Sequence, residues 1–549
     1  MKKHKFSLLL IIIPLFILGW GLFYFYFFDP FYAYSPDPEY CYLINGLNMA
    51  LLEFNRIGHY DHPGTTFQLY NGIIIRITHF FAGKDTIAQD VFNRPEYYLS
   101  AINLSLIILQ SLLCFLIAWV GKKREIKTWQ LIILQSGVLI STTMLSIFCR
   151  VTPERWIVVT ALLFIIVYLV YGYGDRRPLK FAIWSGVIMG MGMATKFNFL
   201  PIILLPFLLI DSNKNRLVYS ATGIVSFFFF LLPVINKFHS FRKFMVDIAT
   251  HDGFYGEGEE RMFDPERLLK GFSQIFDSSP ELIFIIIAVI TALIIAVIYR
   301  KKQNTNRHIL FFVGMLFIIL LQMIMVAKHF KFYYILPLIA IYPLILFIFD
   351  SFIQKTGSYK KWTQLPVILL FIVFVGFTTK QTYKNLQSEK SSMIQRETGQ
   401  QFVSENVPAN TLWFVEPYPS WMGAPYIENS IVYGISYVKW PIYYSAELMK
   451  LNPNIVTYEN SEEMARIWRG PIISIDSIVV TKTPVYLYSS YGRNNALLMD
   501  ILEKAALRND INLSRDTIFS NHKKNSHIIV IQNKNSIKEW NTESYISTQ

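Results

Sequence analysis

Charge is scarce in this 549-residue sequence: Asp, Glu, Lys and Arg make up 16% of it, against 53% hydrophobic residues and a mean hydropathy of +0.35. A water-soluble chain of this length would expose more charge, so the composition excludes an ordinary soluble enzyme. Cysteine is scarce as well. Cys41, Cys114 and Cys149 are odd in number, and two of them lie in or at the ends of apolar runs, which gives neither a disulfide framework nor a metal cluster. They read as small buried hydrophobes. No metal, nucleophile or phosphate-loop motif stands in the C-terminal third, and internal repeats and low-complexity tracts are lacking. No clear A-x-A site follows the first apolar run, which is longer than a signal-peptide core, so it reads as a retained first helix.

What the chain does have is a series of long apolar runs. The clearest are Ser7–Phe27, Ala101–Val120, Trp129–Phe148, Trp156–Tyr171, Leu217–Ile235, Leu282–Tyr299, Ile309–Ala327, Phe332–Phe349 and Trp362–Thr378. Each approaches the roughly 20 residues a helix needs to cross about 30 Å of hydrocarbon. The formal charge of +13 is concentrated between these runs, at Lys2–Lys5, Lys122–Lys127, Arg176–Lys180, Lys214–Arg216, Arg300–Arg307 and Lys355–Lys361. With a cytoplasmic N-terminus every one of these clusters falls on the cytoplasmic side, the pattern of a multi-pass membrane protein and not of a nucleic-acid binder. Residues 28–96, the loop 236–280 and everything after about residue 380 are then extracytoplasmic. The missing disulfide pattern leans toward a bacterial inner membrane.

Residues 181–210 are too long for one span and too short for two, and they read as a hairpin of short helices turning around Thr195–Pro201, with Lys196 and Asn198 at the turn. The fold class expected is therefore a polytopic α-helical membrane protein with about eleven membrane segments and extracytoplasmic interfacial helices. A small extracytoplasmic α/β domain follows, and the composition changes at the division 1–380 and 381–549. In the second part, strands are expected at Thr411–Val415, Ser430–Val438, Ser477–Thr481, Val485–Tyr488 and His527–Gln532, and helices at Ser445–Leu451 and Ala496–Arg508.

Several polar groups stand where a membrane protein has reason to avoid them. Asp37 reads as a helix cap with Pro38 at the first helical position and Glu39 favoured by the dipole. Leu43, Leu47, Ala50, Leu51 and Phe54 then recur at helical spacing, so Pro38–Phe54 reads as a helix along the membrane surface. His59, Asp61 and His62 precede the Pro63-Gly64 turn into a helix near Thr66; they are either ordinary turn residues or a polar cluster at a helix N-terminus, where an anion would bind. Arg150, Arg155, Lys196, Lys328 and Lys331 are cations on the outer side. Snorkelling accounts for each singly, whereas together they suit an anionic ligand at the outer leaflet. The Gly-rich acidic loop His251–Glu260 is compatible with a plain flexible loop, a lid or a divalent cation.

The order of four motifs resembles the GT-C superfamily of lipid-dependent membrane glycosyltransferases, in the style of protein O-mannosyltransferases and lipid A aminoarabinose transferases. These are Asp37-Pro38-Glu39-Tyr40 after the first helix, His62-Pro63-Gly64, the Gly-rich run Gly190–Lys196 ending in Thr-Lys, and the aromatic-Leu-Pro segment Lys331–Pro337. The resemblance covers about residues 7–380. Many relatives have adjacent Asp-Glu, whereas Pro38 separates the acids here. The resemblance implies a polyprenyl-phosphate sugar as donor, its phosphate held by some of Arg150, Arg155, Lys196, Lys328 and Lys331. Asp37, in preference to Glu39, is then the base for an acceptor hydroxyl on a glycan, lipid or protein. It fixes no further cofactor and leaves a divalent cation open. A transporter or lipid flippase is the alternative, but it would show paired halves and midplane broken helices.

Overall fold

The computed structural model describes residues 7–533 except 28–29, 35–37, 62, 140, 175–176, 254–255, 263, 300–305, 356–375, 389, 391–400, 409–410, 416–425, 460–463, 481–483, 490–495 and 522–525. The chain is mostly helical. Its first elements are α1 (Leu9–Phe27), α2 (Phe31–Tyr34), α3 (Glu39–Leu51), α4 (Thr65–Ala82), α5 (Ile87–Asn93) and α6 (Pro95–Lys123). Next come α7 (Thr128–Gln135), α8 (Thr142–Ser146), α9 (Pro153–Val167), α10 (Pro178–Thr195), α11 (Leu204–Leu209) and α12 (Asn213–Leu231). The helical region closes with α13 (Phe238–Thr250), α14 (Pro265–Ser278), α15 (Glu281–Ile298), α16 (Asn306–Lys328) and α17 (Leu336–Lys355).

Among the described residues, 7 helices are long and apolar enough to cross a membrane: Leu9–Phe27, Pro95–Lys123, Pro153–Gly172, Asn213–Thr250, Glu281–Ile298, Asn306–Lys328 and Phe332–Phe352. Each coincides with an expected span. The expected span Trp129–Phe148 is instead broken into α7, a 3-10 turn at Ser136–Val138, α8, and a second 3-10 turn at Ile147–Cys149. The sequence SGVLISTT explains the break, since Ser and Thr hydroxyls compete for backbone groups and Gly loses the most entropy in a helix. Ser141 caps α8 by accepting from the Met144 N–H. Gly137 packs so closely on Pro343 that a Cβ would lie 2.7 Å from its ring. The expected span Trp362–Thr378 lies almost wholly outside the described residues. At 181–210, α10 ends at Thr195 and Lys196 is extended (φ −160°, ψ 135°). A short apolar stretch, Phe197–Leu209, follows with Pro201 inside its 3-10 part.

Contacts divide the chain into two compact units. The first comprises residues 1–27, 59–70 and 102–386. Its core joins buried residues of α1, α6, α7, α9, α10, α15, α16 and α17.

The second unit comprises residues 28–58, 71–101 and 387–549. Its sheet is built from β1 (Leu412–Val415), β2 (Ile455–Glu459), β3 (Met464–Ile467), β4 (Ile472–Ile473), β5 (Val485–Ser489), β6 (Leu513–Asn521) and β7 (Ser526–Asn533), in the order β4-β3-β2-β1-β5-β7-β6. The central trio β2-β1-β5 is parallel and the flanking pairs are antiparallel. With it go α18 (Tyr426–Ser436), α19 (Ser445–Leu451), α20 (Ile475–Val480) and α21 (Ala496–Arg508). The expected helices are present with the expected bounds. Two expected strands are helices instead: Ser430–Val438 falls mainly in α18 and Ser477–Thr481 in α20. In both, short β-branched runs favour strand locally, but packing decides. In α18, Ile431, Val432 and Ile435 are buried, and a Cβ on Gly434 would lie 2.8 Å from the Tyr40 carbonyl of α3. In α20, Ile478 and Val479 share the core formed by α21 and the sheet.

The amphipathic reading of α3 is also corrected: every residue from Glu39 to Ala50 is buried. Within its unit the helix is enclosed by polar ties. Asn45 Nδ2 donates to the Tyr437 carbonyl at 3.2 Å, the Tyr444 hydroxyl donates to Asn48 Oδ1 at 2.5 Å, and Asn71 Nδ2 donates to the Tyr42 carbonyl at 3.4 Å. Leu52 then takes a left-handed conformation (φ 62°) and ends the helix.

Candidate functional site

The site of the first unit begins at the turn Pro63-Gly64. Gly64 has φ +64°, a conformation that favours glycine, and this lets the chain enter α4 at a sharp angle. Three hydrogen bonds then fix the start of α4 to the end of α10. The Gly64 N–H donates to the Thr195 carbonyl at 3.0 Å, the Thr65 hydroxyl to the Ala194 carbonyl at 3.1 Å, and the Thr66 and Thr195 hydroxyls meet at 2.6 Å. Gln68 Nε2 reaches back to the His59 carbonyl at 2.6 Å. The loop His59–Asp61 is thereby held beside the residue that follows Thr195.

That residue is Lys196, which is 5% exposed. Its ammonium forms an ion pair with Glu154, in the first turn of α9. The positive end of a helix dipole supports the carboxylate there, and the pairing offsets the large cost of taking either charge out of water. The ammonium also stands 4.7 Å from the ring centroid of Tyr334 and 5.1 Å from that of Tyr333. The tyrosines are held in turn: Asn198 Nδ2 and Gln322 Nε2 both donate to the Tyr334 carbonyl, at 3.0 and 3.1 Å. Burial, and after it the Lys196 charge, lower the His59 imidazole to about 4. Burial raises the Asp61 carboxyl to about 6. A second buried lysine, Lys237, lies 5.6 Å from the Tyr60 ring centroid. Two buried lysines, Lys196 and Lys237, therefore act on one loop.

The remaining candidates are distributed more widely. Arg155 is fully buried, and its guanidinium donates to Asn103 Oδ1, to Gln110 Oε1 at 3.3 Å and to the Arg150 carbonyl at 3.2 Å. These bonds occupy Arg155 in tying α9 to α6 and hold Arg150, itself half-buried, next to it. Lys328 donates to the Ala249 carbonyl, and His329 Nε2 lies 3.0 Å from the Ile248 carbonyl, so this pair is engaged with the end of α13. Lys331 is half-buried and immediately precedes the Phe332–Ile335 turn that carries Tyr333 and Tyr334. Asp37 and His62 lie outside the described residues. Glu39, in the second unit, is buried in the first turn of α3.

In the acidic loop, the Gly253 N–H donates to the Glu257 carbonyl at 2.7 Å and the Glu259 N–H to Asp252 Oδ1 at 3.1 Å. Among the described residues, no three His, Cys, Asp or Glu side chains come together as metal ligands.

Two members of the site escaped the sequence reading. Lys237 is a single cation after an apolar run, whereas the topology argument weighed clusters. Glu154 was visible as an acid between two arginines, but its partner lies 42 residues away.

Among curated proteins and among solved structures, nothing matches the chain. Residues 97–325, which carry Glu154, Arg155, Lys196 and Lys237, match the model of glycosyltransferase family 87, a GT-C-type family of membrane glycosyltransferases, and the GT-C resemblance of the sequence motifs agrees with it.

Proposed function

We propose that the chain is an inverting glycosyltransferase that moves a sugar from a polyprenyl-phosphate donor to an acceptor hydroxyl at the extracytoplasmic face of the membrane. Lys196 is the observation that carries this reading: a buried cation between Glu154 and two tyrosine rings, in the region that matches a glycosyltransferase family. In such a dry setting a fixed ammonium stabilises charge developing on a departing phosphate far better than water would. Lys237, beside Tyr60 of the same loop, is the second cation of this phosphate subsite. The Tyr333 and Tyr334 rings, set edge to face with centroids 5.1 Å apart, suit a sugar face or an isoprenoid chain.

The reaction needs one base. The acceptor oxygen attacks the anomeric carbon and its proton passes to a carboxylate, for which the resemblance designates Asp37. The bond from that carbon to the phosphate oxygen breaks, its electron pair stays on the phosphate, and configuration inverts. Phosphate is a good leaving group and needs no acid, so one carboxylate suffices, unlike the pair of a glycosidase. The acceptor is a glycan, lipid or protein hydroxyl, and an inner, cytoplasmic membrane with its outer face toward the acceptor is the setting. A transporter or flippase is not favoured, since the family match is to glycosyl transfer.

The test uses purified protein in detergent with a panel of radiolabelled polyprenyl-phosphate sugars, following release of polyprenyl phosphate. One donor should be turned over, with loss of at least ~100-fold in Asp37→Asn. Lys196→Met should lose activity on a similar scale. A folded Asp37→Asn protein with full activity would remove the base assignment. A folded wild type inert toward every donor, with acceptor fractions supplied, would remove the donor class.

A further inference from the structure

The span that begins with α9 does not close as an α-helix. Its last residues, Tyr168–Gly172, form a single π turn, with the Tyr173 N–H donating to the Tyr168 carbonyl at 2.8 Å. Single π turns are rare and gather at functional sites. Two further bonds fix this one: the Arg124 guanidinium donates to the Val170 carbonyl, and the Arg177 N–H to the Tyr171 carbonyl at 3.0 Å. A cleft opens beside the turn. It is walled by Tyr168, Tyr171, Phe181 of α10 and Ile210 after α11, and it ends on Asp211 and Arg307. Two membrane spans, Pro153–Gly172 and Asn306–Lys328, terminate there. Pro178, at the start of α10, also lines the cleft, whereas Lys196 follows the last residue of α10, so the two lie about 25 Å apart along that helix.

Asp211 and Arg307 form an ion pair, and their side chains are 49% and 43% exposed. Arg307 Nη2 also donates to the Leu209 carbonyl at 2.9 Å, and Arg216 Nε to the Ile210 carbonyl at 3.1 Å, which satisfies carbonyls at the end of α11. A guanidinium carries five N–H groups, and these bonds use two of those on Arg307. The cleft is thus aromatic and apolar along its walls, with one anion and one cation side by side at its end. Asp211 repels a ligand that is only anionic, and Arg307 one that is only cationic. An acyl chain alone would strip water from both charges and return nothing. A phosphate joined by a short linker to an ammonium matches both, since the phosphate accepts from Arg307 while the ammonium donates to Asp211 and meets the tyrosine faces. We propose that this cleft binds the headgroup of a phosphoethanolamine lipid, its phosphate on Arg307 and its ammonium on Asp211. Pockets with basic residues between spans, at the level of the headgroups, hold phospholipids in this way. By the charge pattern the leaflet concerned is the cytoplasmic one. The site is independent of the donor reading at Lys196.

The test uses the full-length protein, delipidated in detergent and offered an equimolar mixture of phosphatidylethanolamine, phosphatidylcholine and phosphatidylglycerol with the same acyl chains. Retained lipid is counted by native mass spectrometry. Phosphatidylcholine has no N–H to give Asp211, and phosphatidylglycerol has no cation. Wild type should therefore retain phosphatidylethanolamine about tenfold better than either, the scale of one charge-assisted hydrogen bond. Arg307→Gln should lower retention of phosphatidylethanolamine about tenfold. Asp211→Asn keeps the shape but not the charge, and it should reduce the preference over the other two lipids to about twofold or less. Both side chains are half-exposed at the ends of helices, and thermal unfolding shows which variants are folded. Each variant has its own readout, so either one decides if the other folds poorly.

Equal retention of the three lipids by wild type, or a preference for phosphatidylglycerol, overturns the zwitterionic site. Retention by folded Arg307→Gln equal to wild type shows that the lipid sits elsewhere, and an intact preference in folded Asp211→Asn removes the ammonium contact. Soluble phosphoethanolamine and inorganic phosphate, each added at millimolar concentration, separate the sources of the same chemistry. Neither should displace the lipid, whose acyl chains add to its hold. Displacement by either would make a soluble phosphate compound the occupant and overturn the assignment to a lipid. Failure of the polyprenyl-phosphate reading would leave these outcomes unchanged, because none of them depends on turnover.

Discussion

His59 and Asp61 stand two positions apart on one loop, and burial moves them in opposite directions, the imidazole to about 4 and the carboxyl to about 6. From about pH 4 to 6.5 the unfolded chain protonates His59 and the folded one does not, so this group makes stability rise with pH over that window. From about pH 4 to 6 the folded chain keeps Asp61 protonated and the unfolded one does not, so this group makes stability fall with pH. In wild type the two slopes oppose each other. Asp61→Asn should therefore give a Tm that climbs more steeply than wild type from pH 4 to 6.5. His59→Gln should give one that falls relative to wild type from pH 4 to 6. Thermal unfolding in detergent across this range checks both, and profiles parallel to wild type in both variants would contradict the assignment. The sequence marked these residues as a polar cluster. It could not tell which way each would titrate, because that depends on burial and on a lysine more than a hundred positions away.

At the scale of elements, the Gly-rich run read as a family motif has a packing reason. Gly186 and Gly190 share one face of α10, and α12 crosses that face at close range. A Cβ on Gly190 would lie 2.6 Å from the Gly223 carbonyl and 2.7 Å from the Phe227 nitrogen, and one on Gly186 would lie 2.7 Å from the Tyr219 carbonyl. Small residues allow such backbone approach, and dispersion then supplies the association that lipid-exposed helices otherwise lack. On the opposite side, a Cβ on Gly223 would meet Gly186 only at 3.7 Å. Gly190→Leu should thus cost about 3 kcal/mol or more through overpacking, whereas Gly223→Ala should stay within about 0.5 kcal/mol of wild type. Tm in detergent distinguishes the two, and equal effects would show that the helices do not meet along this face. The same scale explains α7 and α8. Hydropathy recorded a run long enough to span, but Ser136, Gly137 and Ser141 form local bonds and contacts that end the helix.

At the scale of the whole molecule, the second unit is discontinuous in sequence, drawing on residues 28–58, 71–101 and 387–549. The composition suggested a division near residue 380, where polar sequence begins. Contacts group the chain differently, because α3 is enclosed by α18 and by Tyr437 and Tyr444. A chain ending at Leu386 should therefore leave Asn45 and Asn48 without these partners, each at about 1–3 kcal/mol, and open residues 39–58 to proteolysis and hydrogen exchange. Protection of 39–58 equal to that of the full-length chain would show that α3 stands without the C-terminal segment.

The sequence by itself determined the membrane character and seven of the spans, because crossing lipid requires only a local run of apolar residues of sufficient length, and it also marked two helices of the C-terminal segment, Ser445–Leu451 and Ala496–Arg508. The cations expected on the outer side and the motif order were equally local, and they led to the glycosyltransferase class. The tertiary structure alone decided which charges meet. Lys196 pairs with Glu154 because Gly64, Thr65 and Thr66 bind the end of α10, while Arg155, one residue from Glu154, is occupied in joining two helices. Tertiary packing also turned two strand-like runs into helices and buried α3 on every side. Periodicity describes one segment at a time, whereas pairing of buried charges and enclosure of a helix depend on segments far apart in the chain.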